Sequence, residues 1–171
     1  MIDCGVCVLR EWREEDIPLL PRLANDWDIA GNMRDSFPYP YELKDAELWV
    51  RFNLAQDKPE NFAIEVEREL AGAAGFMLLG AERGGCAELG YWVAKPYWGR
   101  GIATAACSAL ATYVFENYHI RRVEAHAHGQ NVGSQRVLEK SGFRREGILR
   151  DAVIKRGEVR DMHLFGRLRD E

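Results

Sequence analysis

Hydrophobic and polar residues alternate along much of this chain, and the period of that alternation predicts its elements. A period of two predicts an opening strand in CVLREW and three consecutive strands in NFAIEVER, AGAAGFMLL and CAELGYWVA. The segment ERE and the pair Gly84–Gly85 are expected to turn the chain between these three strands. A further strand is predicted in RRVEAHA, and FRREGILRDAVIKRGEVRDMHLFGRL predicts a final hairpin that turns near Arg156–Gly157.

A helical period appears in the first third of the chain. The segment REEDIPLLPRLAND is expected to form one helix, with acidic residues in its first turn, where the helix dipole favours them. The segment DAELWVRFNLAQ predicts a second, amphipathic helix, with Leu48, Phe52 and Ala55 on one stripe and Trp49 beside it. Between them, DSFPYPYEL contains two prolines and three aromatic residues and is expected to form a loop.

Two more helices follow the central strands. One runs from Ile102 to about Tyr118, and a short one in SQRVLEKSG ends at Gly142, which is a good residue for ending a helix. The order of elements is strand, helices, three antiparallel strands, helix, strand, helix and hairpin. It predicts an α/β (α+β) layered domain around one sheet, with a ligand site at the carboxyl end of the strand that precedes Ile102.

Length and charge narrow the function classes. The 171 residues fit one domain, residues 1–171, and 47% of them are hydrophobic. The net charge of −4 argues against a nucleic-acid partner and suits a cationic substrate such as an amine. No apolar run approaches the ~18 residues of a membrane span, and no signal peptide is recognisable, so we expect a cytoplasmic protein with no membrane partner.

Four cysteines are present, and two of them are closely spaced. Cys4 and Cys7 have the spacing of a metal or redox pair, but residues three apart on one strand point to opposite faces. With no second close pair to complete a zinc site, we expect buried or edge thiols and no metal.

The segment YWGRGIAT, Tyr97 to Thr104, carries the first chemical signal. Two glycines stand at a helix entrance, where Ser, Thr, Asp or Asn would form a better cap. Free amides at a helix start, glycines that let a ligand approach the backbone, and the charge of Arg100 predict an anion site suited to phosphate. The segment lacks the Gly-Lys-Ser/Thr of a kinase-type phosphate loop and the third glycine of the dinucleotide fingerprint.

A second segment makes the ligand more specific. Together with YWVAKPYWGRGIAT, the segment NVGSQRVLEKSGF resembles the GNAT superfamily of N-acetyltransferases, with Asn131, Ser134 and Gly142–Phe143 at the positions of its second motif. ANDWDIAGNMRDSFPYPY and the terminal RDMHLFGRLRDE resemble the branch that contains the RimJ/RimL ribosomal-protein N-terminal acetyltransferases. The resemblance implies a mixed central sheet of about six to seven strands, largely antiparallel with one parallel pair at the cofactor site, flanked by helices.

The resemblance also implies where acetyl-CoA binds. The backbone of Val93 is expected to pair with the pantetheine arm, Asn131 to bond the pantetheine or thioester region, and the loop to hold the pyrophosphate. The loop residues are Trp98, Gly99, Arg100, Gly101, Ile102, Ala103 and Thr104. Trp98 stands where the family has Gln or Arg, so the amides and Arg100 are expected to bind more of the phosphate.

The catalytic residues are less determined. Many family members have a tyrosine where this chain has Leu138, so Ser134, one helical turn earlier, is expected to assist the leaving thiol. Glu88 is the first candidate for the base, with Asp161 and His163 as alternatives. His126 and His128 share a strand face with Glu124, which makes a poor metal site. The predicted acceptor contacts are Met33, Arg34, Phe37, Tyr39 and Asp161.

The resemblance implies an acetyl-CoA-dependent N-acetyltransferase without a metal. We expect the acceptor to be a protein or peptide N-terminal amine. A small-molecule amine (antibiotic, polyamine or amino acid) is the alternative acceptor, and a CoA-binding module without transferase activity is the alternative class. A monomer or homodimer is expected.

Overall fold

Eight strands form one continuous sheet in the computed structural model, which describes residues 1–171. The strands lie in the order β1-β2-β3-β4-β5-β6-β8-β7. Their bounds are β1 Ile2–Asp3, β2 Val8–Arg10, β3 Asn61–Val66, β4 Glu69–Leu78, β5 Cys86–Val93, β6 Arg122–His128, β7 Arg144–Lys155 and β8 Glu158–Leu168. The helices are α1 Leu20–Ala24, α2 Trp27–Ala30, α3 Leu43–Leu54, α4 Ile102–Asn117 and α5 Val132–Lys140.

Only one pair of neighbouring strands is parallel. β5 and β6 pair over Cys86–Glu88 and Arg122–Glu124, and the register ends there although both strands continue. The two strands therefore diverge toward their carboxyl ends, where α4 and α5 begin. The predicted mixed sheet with one parallel pair is confirmed, with eight strands instead of six or seven because Ile2–Asp3 forms an extra edge strand.

The predicted turns lie where glycine or tight backbone geometry allows them. Glu67 and Arg68 both have positive φ between β3 and β4, and so do Arg156 and Gly157 between β7 and β8. Two successive residues with φ above zero match the twist of an antiparallel hairpin. The last hairpin thus turns at the predicted pair.

The first predicted helix is wrong in its extent. Glu14–Asp16 forms only a single 3-10 turn, and α1 has five residues with Pro21 at its start. Proline has no N–H to donate, so Pro18 separates the 3-10 turn from α1, and Pro21 is tolerated only in the first turn of α1, where its N–H would have no helical partner.

The predicted apolar stripe of α3 is also wrong. Ala46 and Val50 are fully buried, whereas Leu48 is 72% exposed and Phe52 is 56% exposed. The small side chains of Ala46 and Val50 pack in the same cluster as Ala63 of the sheet. Leu48 and Phe52 instead line the cleft described below.

Apolar side chains cover both faces of the sheet. On one face, α4 packs Ala106, Leu110 and Val114 into the larger core cluster. On the other face, α1, α2 and α3 cover the sheet near Trp92. No helix is both long and apolar enough to cross a membrane.

Candidate active site

A cleft of about 1660 Å³ follows the divergence of β5 and β6. Because alternate residues of a strand point to opposite faces, it has two chemically different halves. One half lies toward α4 and α5 and contains Tyr91 and Ser134, and the other contains Glu88 and His126. A reaction between a ligand on one face and a ligand on the other would therefore take place between the diverging strands.

The entrance of α4 has the geometry of an anion site. Gly99 and Gly101 have φ of 76° and 77°, and a side chain at either position would point into open space. The helix has no side-chain cap, and its first hydrogen bond runs from the Ala105 amide to the Gly101 carbonyl at 3.0 Å. The amides of Ile102, Ala103 and Thr104 donate to no group of the chain. Three free amides at the positive end of a sixteen-residue helix suit a phosphate.

Trp98 interacts with the strand that leads to this loop. Its indole N–H donates a hydrogen bond of 2.6 Å to the Val93 carbonyl, at the end of β5. The residue that replaces the family's polar side chain thus bonds to the backbone that was predicted to receive the pantetheine arm. Arg100 turns away from the cleft, donates to Glu67 and lies over the Tyr97 ring.

The start of α5 places a hydroxyl pair in the cleft. The Asn131 side chain caps the helix by accepting a hydrogen bond from the Ser134 amide at 3.1 Å. The Ser134 hydroxyl lies 2.7 Å from the Tyr91 hydroxyl. Burial raises the pKa of Tyr91, so the phenol keeps its proton at neutral pH. With Tyr91 as donor to Ser134, the Ser134 proton is free to point at a ligand.

The opposite half of the cleft contains an ionised carboxylate. The Glu88 carboxylate contacts His126 Nδ1 at 3.3 Å and also pairs with the Arg34 guanidinium. Hydrogen bonds from His126 and then from Arg34 lower the pKa of Glu88 from 4.5 to about 2, against the opposing effect of burial. The other ring nitrogen of His126 lies 3.8 Å from Glu124. Glu88 is therefore a permanent negative charge that holds protons weakly.

Three of the predicted acceptor residues lie in this half. Met33, Arg34 and Phe37 line the cleft, in the segment that follows α2. Tyr39 does not line it. Its ring packs 5.2 Å from Trp27, and Arg156 of the last hairpin lies over both rings. Tyr39 thus stabilises the segment and does not face the acceptor.

Asp161 and His163 lie outside the cleft. β8 turns both away from the face that carries Met162, and the Asp161 carboxylate accepts the backbone amide of Asp151 at 3.0 Å. His163 is buried with Nδ1 unpartnered. Leu138 is buried in the core cluster. Neither Asp161 nor His163 therefore borders the space in which a ligand of the cleft would lie.

Two residues of the site escaped the sequence reasoning. Tyr91 and His126 gain their importance from neighbours 43 and 38 residues away in the chain. Tyr91 carried a signal in the alternation of β5, since it lies between Leu89 and Val93 on the face toward α4. His126 could be assigned only once β5 and β6 were known to be neighbours.

The comparison with known protein families identifies this arrangement. The model of the acetyltransferase (GNAT) domain matches residues 7–144. The chain belongs to the GNAT acetyltransferase family. By family it is therefore an N-acetyltransferase. The free amides of α4 lie in the segment YWGRGIAT, which belongs to one of the two motifs that resemble this family.

Individual relatives confirm the branch. The chain is 28% identical over 166 residues to the uncharacterized N-acetyltransferase p20 of Bacillus licheniformis, covering 95% of this chain and 93% of that protein. It is 30% identical over 109 residues to the ribosomal-protein-serine acetyltransferase of Escherichia coli (strain K12), covering 64% and 60%. The structure of Mycobacterium smegmatis RimJ in complex with CoA-disulfide matches with a TM-score of 0.83 at 26% identity, over 98% of this chain and 84% of that one.

Proposed function

We propose that this GNAT acetyltransferase transfers the acetyl group of acetyl-CoA to the α-amino group of a protein or peptide N-terminus. The observation that carries the proposal is the character of the acceptor half of the cleft, where a carboxylate with a low pKa stands beside an imidazole. Such a site attracts a cationic amine but offers no strong base to deprotonate it.

The pKa values of the two classes of amine favour an α-amino group over a lysine-type amine as the acceptor. With a pKa near 8, an α-amino group gives up its proton to a given acceptor at a cost about 3 kcal/mol lower than a lysine-type amine with a pKa near 10.4. At pH 7 roughly one α-amine in ten is already neutral, against less than one lysine-type amine in a thousand. A site without a strong base therefore suits an acceptor that titrates near neutral pH.

The two carboxylate partners have different roles in this proposal. The arriving ammonium replaces Arg34, which is 65% exposed at its side chain, as the cation on Glu88. His126, whose Nδ1 contacts Glu88, takes the proton that the amine releases on its other ring nitrogen. Glu88 is thus a catalytic residue through its charge and not as the final proton acceptor.

The cofactor half completes the reaction. The free backbone amides of Ile102–Thr104, with Gly99 and Gly101, hold the pyrophosphate of acetyl-CoA. The side-chain NH2 group of Asn131 donates to the pantetheine region. The neutral amine attacks the thioester carbonyl, and the backbone N–H at Val93 stabilises the oxyanion. The C–S bond then breaks, the attacking nitrogen gives up its second proton, and the departing sulfur takes up one proton through the Ser134 hydroxyl, which Tyr91 orients and which is regenerated in the same step. The pantetheine arm replaces the Trp98 indole on the Val93 carbonyl.

The relatives support both substrates of this reaction. The E. coli relative is named for acetylation of a ribosomal protein, and the RimJ structure contains a CoA derivative. The walls of the acceptor half include apolar side chains of α3 and the segment after α2, such as Phe52 and Phe37, which suit a peptide segment as well as a small molecule. The walls therefore accommodate the proposed peptide acceptor, and kinetic comparison of amines distinguishes it from a small molecule.

The test compares amines of different class with one measurement, thiol release from acetyl-CoA. The panel contains a lysine-free peptide with a free N-terminus, the same peptide blocked at its N-terminus and carrying one lysine, and spermidine. We expect kcat/KM at pH 7 to be at least about tenfold higher for the free N-terminus. Its rate should rise with pH, with a midpoint near pH 8 and a plateau above about pH 9, because the rise follows deprotonation of the α-amine.

The variant Glu88→Gln should lower kcat/KM for the peptide by at least about tenfold while acetyl-CoA affinity stays the same. Spermidine as the best substrate would replace the peptide acceptor by a small amine. Binding of acetyl-CoA without thiol release for any amine would leave only a CoA-binding module.

A further inference from the structure

The Cys4–Cys7 pair has a geometry that its sequence spacing did not indicate. The two residues do not follow one another on a strand. Cys4 comes directly after β1 and Cys7 directly before β2, across a turn of Gly5 and Val6. Asp3 pairs with Val8, so Cys4 and Cys7 are the next opposite pair, and the Cys4 amide donates to the Cys7 carbonyl at 3.0 Å.

Opposite residues on antiparallel strands point to the same face, contrary to the expectation for one strand. Both side chains pack into the core cluster that α4 covers, and the Cys4 thiol lies 3.6 Å from the Ile2 carbonyl. Hydrogen-bonded opposite pairs have Cα atoms about 5.5 Å apart. That separation lies within the range of about 4.4–6.8 Å that a disulfide spans.

The second observation connects this pair with the cofactor loop. The Cys7 thiol lies 3.9 Å from the carbonyl of Ile102, to which it can donate a weak hydrogen bond. Ile102 is the first residue of α4, and its amide is one of the three free donors at the proposed pyrophosphate site. A chemical change at Cys7 therefore acts directly on the backbone that faces the cofactor.

We propose that Cys4 and Cys7 form a reversible intramolecular disulfide by exchange with a small organic disulfide, and that this disulfide weakens acetyl-CoA binding. The Cys4 thiolate attacks one sulfur of the organic disulfide and releases one thiolate, which takes up a proton. Cys7 then loses its proton and attacks the Cys4 sulfur, which releases the second small thiol. Two protein thiols are oxidised by two electrons, and one organic disulfide is reduced to two thiols.

The two thiols are unequal in the way that this sequence of steps requires. Cys4 is half-buried and accessible to a small disulfide, whereas Cys7 is only 4% exposed. The neighbouring Cys7 thiol lowers the pKa of Cys4, whereas the Cys4 thiol and burial raise the pKa of Cys7. Cys4 is therefore the attacking residue and Cys7 the resolving one.

Disulfide formation alters the α4 entrance. Once oxidised, Cys7 has no proton to donate to the Ile102 carbonyl, and its sulfur is drawn toward Cys4. The amides of Ile102–Thr104 then lose part of the support that holds them in place, which lowers their affinity for a phosphate. This part of the inference rests on the proposed acetyl-CoA site, whereas the disulfide itself does not.

The experiment uses the full-length protein in buffers of reduced and oxidised glutathione, followed by alkylation of free thiols and mass spectrometry. We expect four alkylated cysteines in reducing buffer and two in oxidising buffer. The two lost thiols should map to the tryptic peptide 1–10, which contains both cysteines and should be lighter by two hydrogens. The dissociation constant of acetyl-CoA, measured by calorimetry without an acceptor, should rise at least about threefold on oxidation and return with dithiothreitol.

Variants separate the two steps. Cys7→Ser should trap one glutathionyl group on Cys4, and Cys4→Ser should remain unoxidised with unchanged acetyl-CoA affinity in both buffers. Cys86→Ser, a buried cysteine on β5, is the matched control and should oxidise like the parent protein. Full alkylation of Cys4 and Cys7 in every buffer would overturn the disulfide. A disulfide that leaves acetyl-CoA affinity unchanged would overturn its coupling to α4, and a protein that binds no acetyl-CoA when reduced would instead contradict the proposed function.

Discussion

Ser134 is held in place by two residues that lie far from each other in the sequence, Asn131 and Tyr91. The Asn131 carboxamide holds its amide, which fixes the first turn of α5, and the Tyr91 hydroxyl lies 2.7 Å from its Oγ. A serine hydroxyl alone rotates freely. A phenol that remains protonated can donate to the serine oxygen, and in the proposed reaction this leaves the serine proton for the departing sulfur.

Removal of these hydroxyls should slow transfer without affecting cofactor binding. Ser134→Ala is expected to lower kcat by at least about tenfold, since a positioned proton donor contributes ~100-fold or more. Tyr91→Phe should lower kcat by a smaller factor, because Ser134 remains but is less well oriented. Steady-state kinetics with acetyl-CoA as the varied substrate measures both.

The double variant distinguishes a shared role from separate roles. If Tyr91 acts only through Ser134, the double variant should be no slower than Ser134→Ala alone. An unchanged kcat for Ser134→Ala would exclude the serine from the mechanism.

At the scale of elements, the loop before α4 combines backbone conformation with helix polarity. Gly99 and Gly101 take left-handed φ angles that side chains disfavour, and they bring the chain from β5 into α4 with no capping side chain over the first amides. A capping Ser or Asp would occupy one of the amides that the phosphate needs. The absence of a cap is thus part of the site and costs the helix some stability.

A matched pair of glycine variants tests this account. Gly101→Val forces a branched side chain into a φ of 77° at the phosphate site, whereas Gly157→Val does the same at 83° in the distant turn between β7 and β8. Both should cost stability of about 1–3 kcal/mol through backbone strain. Only Gly101→Val should weaken acetyl-CoA binding, by at least about tenfold, as measured by calorimetry.

Similar melting temperatures with different affinities would locate the effect in the loop. Intact acetyl-CoA affinity in a folded Gly101→Val protein would refute the phosphate role of these amides.

At the scale of the whole molecule, the last hairpin holds the segment that closes the acceptor half of the cleft. Lys155 is buried, with only 6% of its surface exposed. Its ammonium group donates hydrogen bonds to the Met33 carbonyl at 2.9 Å and to the Asp35 carboxylate at 2.8 Å. Arg156 lies over the rings of Trp27 and Tyr39, with distances of 4.3 and 5.0 Å to their centroids. The segment that carries Arg34 is therefore positioned by residues more than a hundred positions later in the chain.

Weakening the contacts between the last hairpin and the segment after α2 should affect the peptide acceptor and not acetyl-CoA. Lys155→Met removes the bonds to Met33 and Asp35 but keeps an apolar stem in the buried position. We expect the KM of the peptide acceptor to rise at least about threefold, because the acceptor wall is less ordered, while the KM of acetyl-CoA stays the same. Lys58→Met, at an exposed loop position, is the matched control and should change neither value.

Equal increases in both KM values would indicate general loosening of the fold. An unchanged acceptor KM would show that the hairpin does not position the acceptor site.

Much of the fold could be predicted because it depends on neighbouring residues. The period of the apolar positions indicated the strands and α4, and Arg156–Gly157 indicated the last turn. The failures have tertiary causes. The apolar stripe of α3 was wrong because small residues, Ala46 and Val50, allow the closest approach to the sheet, and Leu48 and Phe52 line a cleft that the helix pattern does not reveal.

The sequence by itself determined the local features of this protein: the alternation of each strand, the left-handed glycines of the α4 entrance and the spacing of the two family motifs. Each depends on backbone preferences or side-chain periods that act over a few residues. Only the tertiary structure decided which distant groups meet, namely Glu88 with His126 and Tyr91 with Ser134. Strand order, register and direction create these contacts, and they also turned Cys4 and Cys7 toward each other across a hairpin.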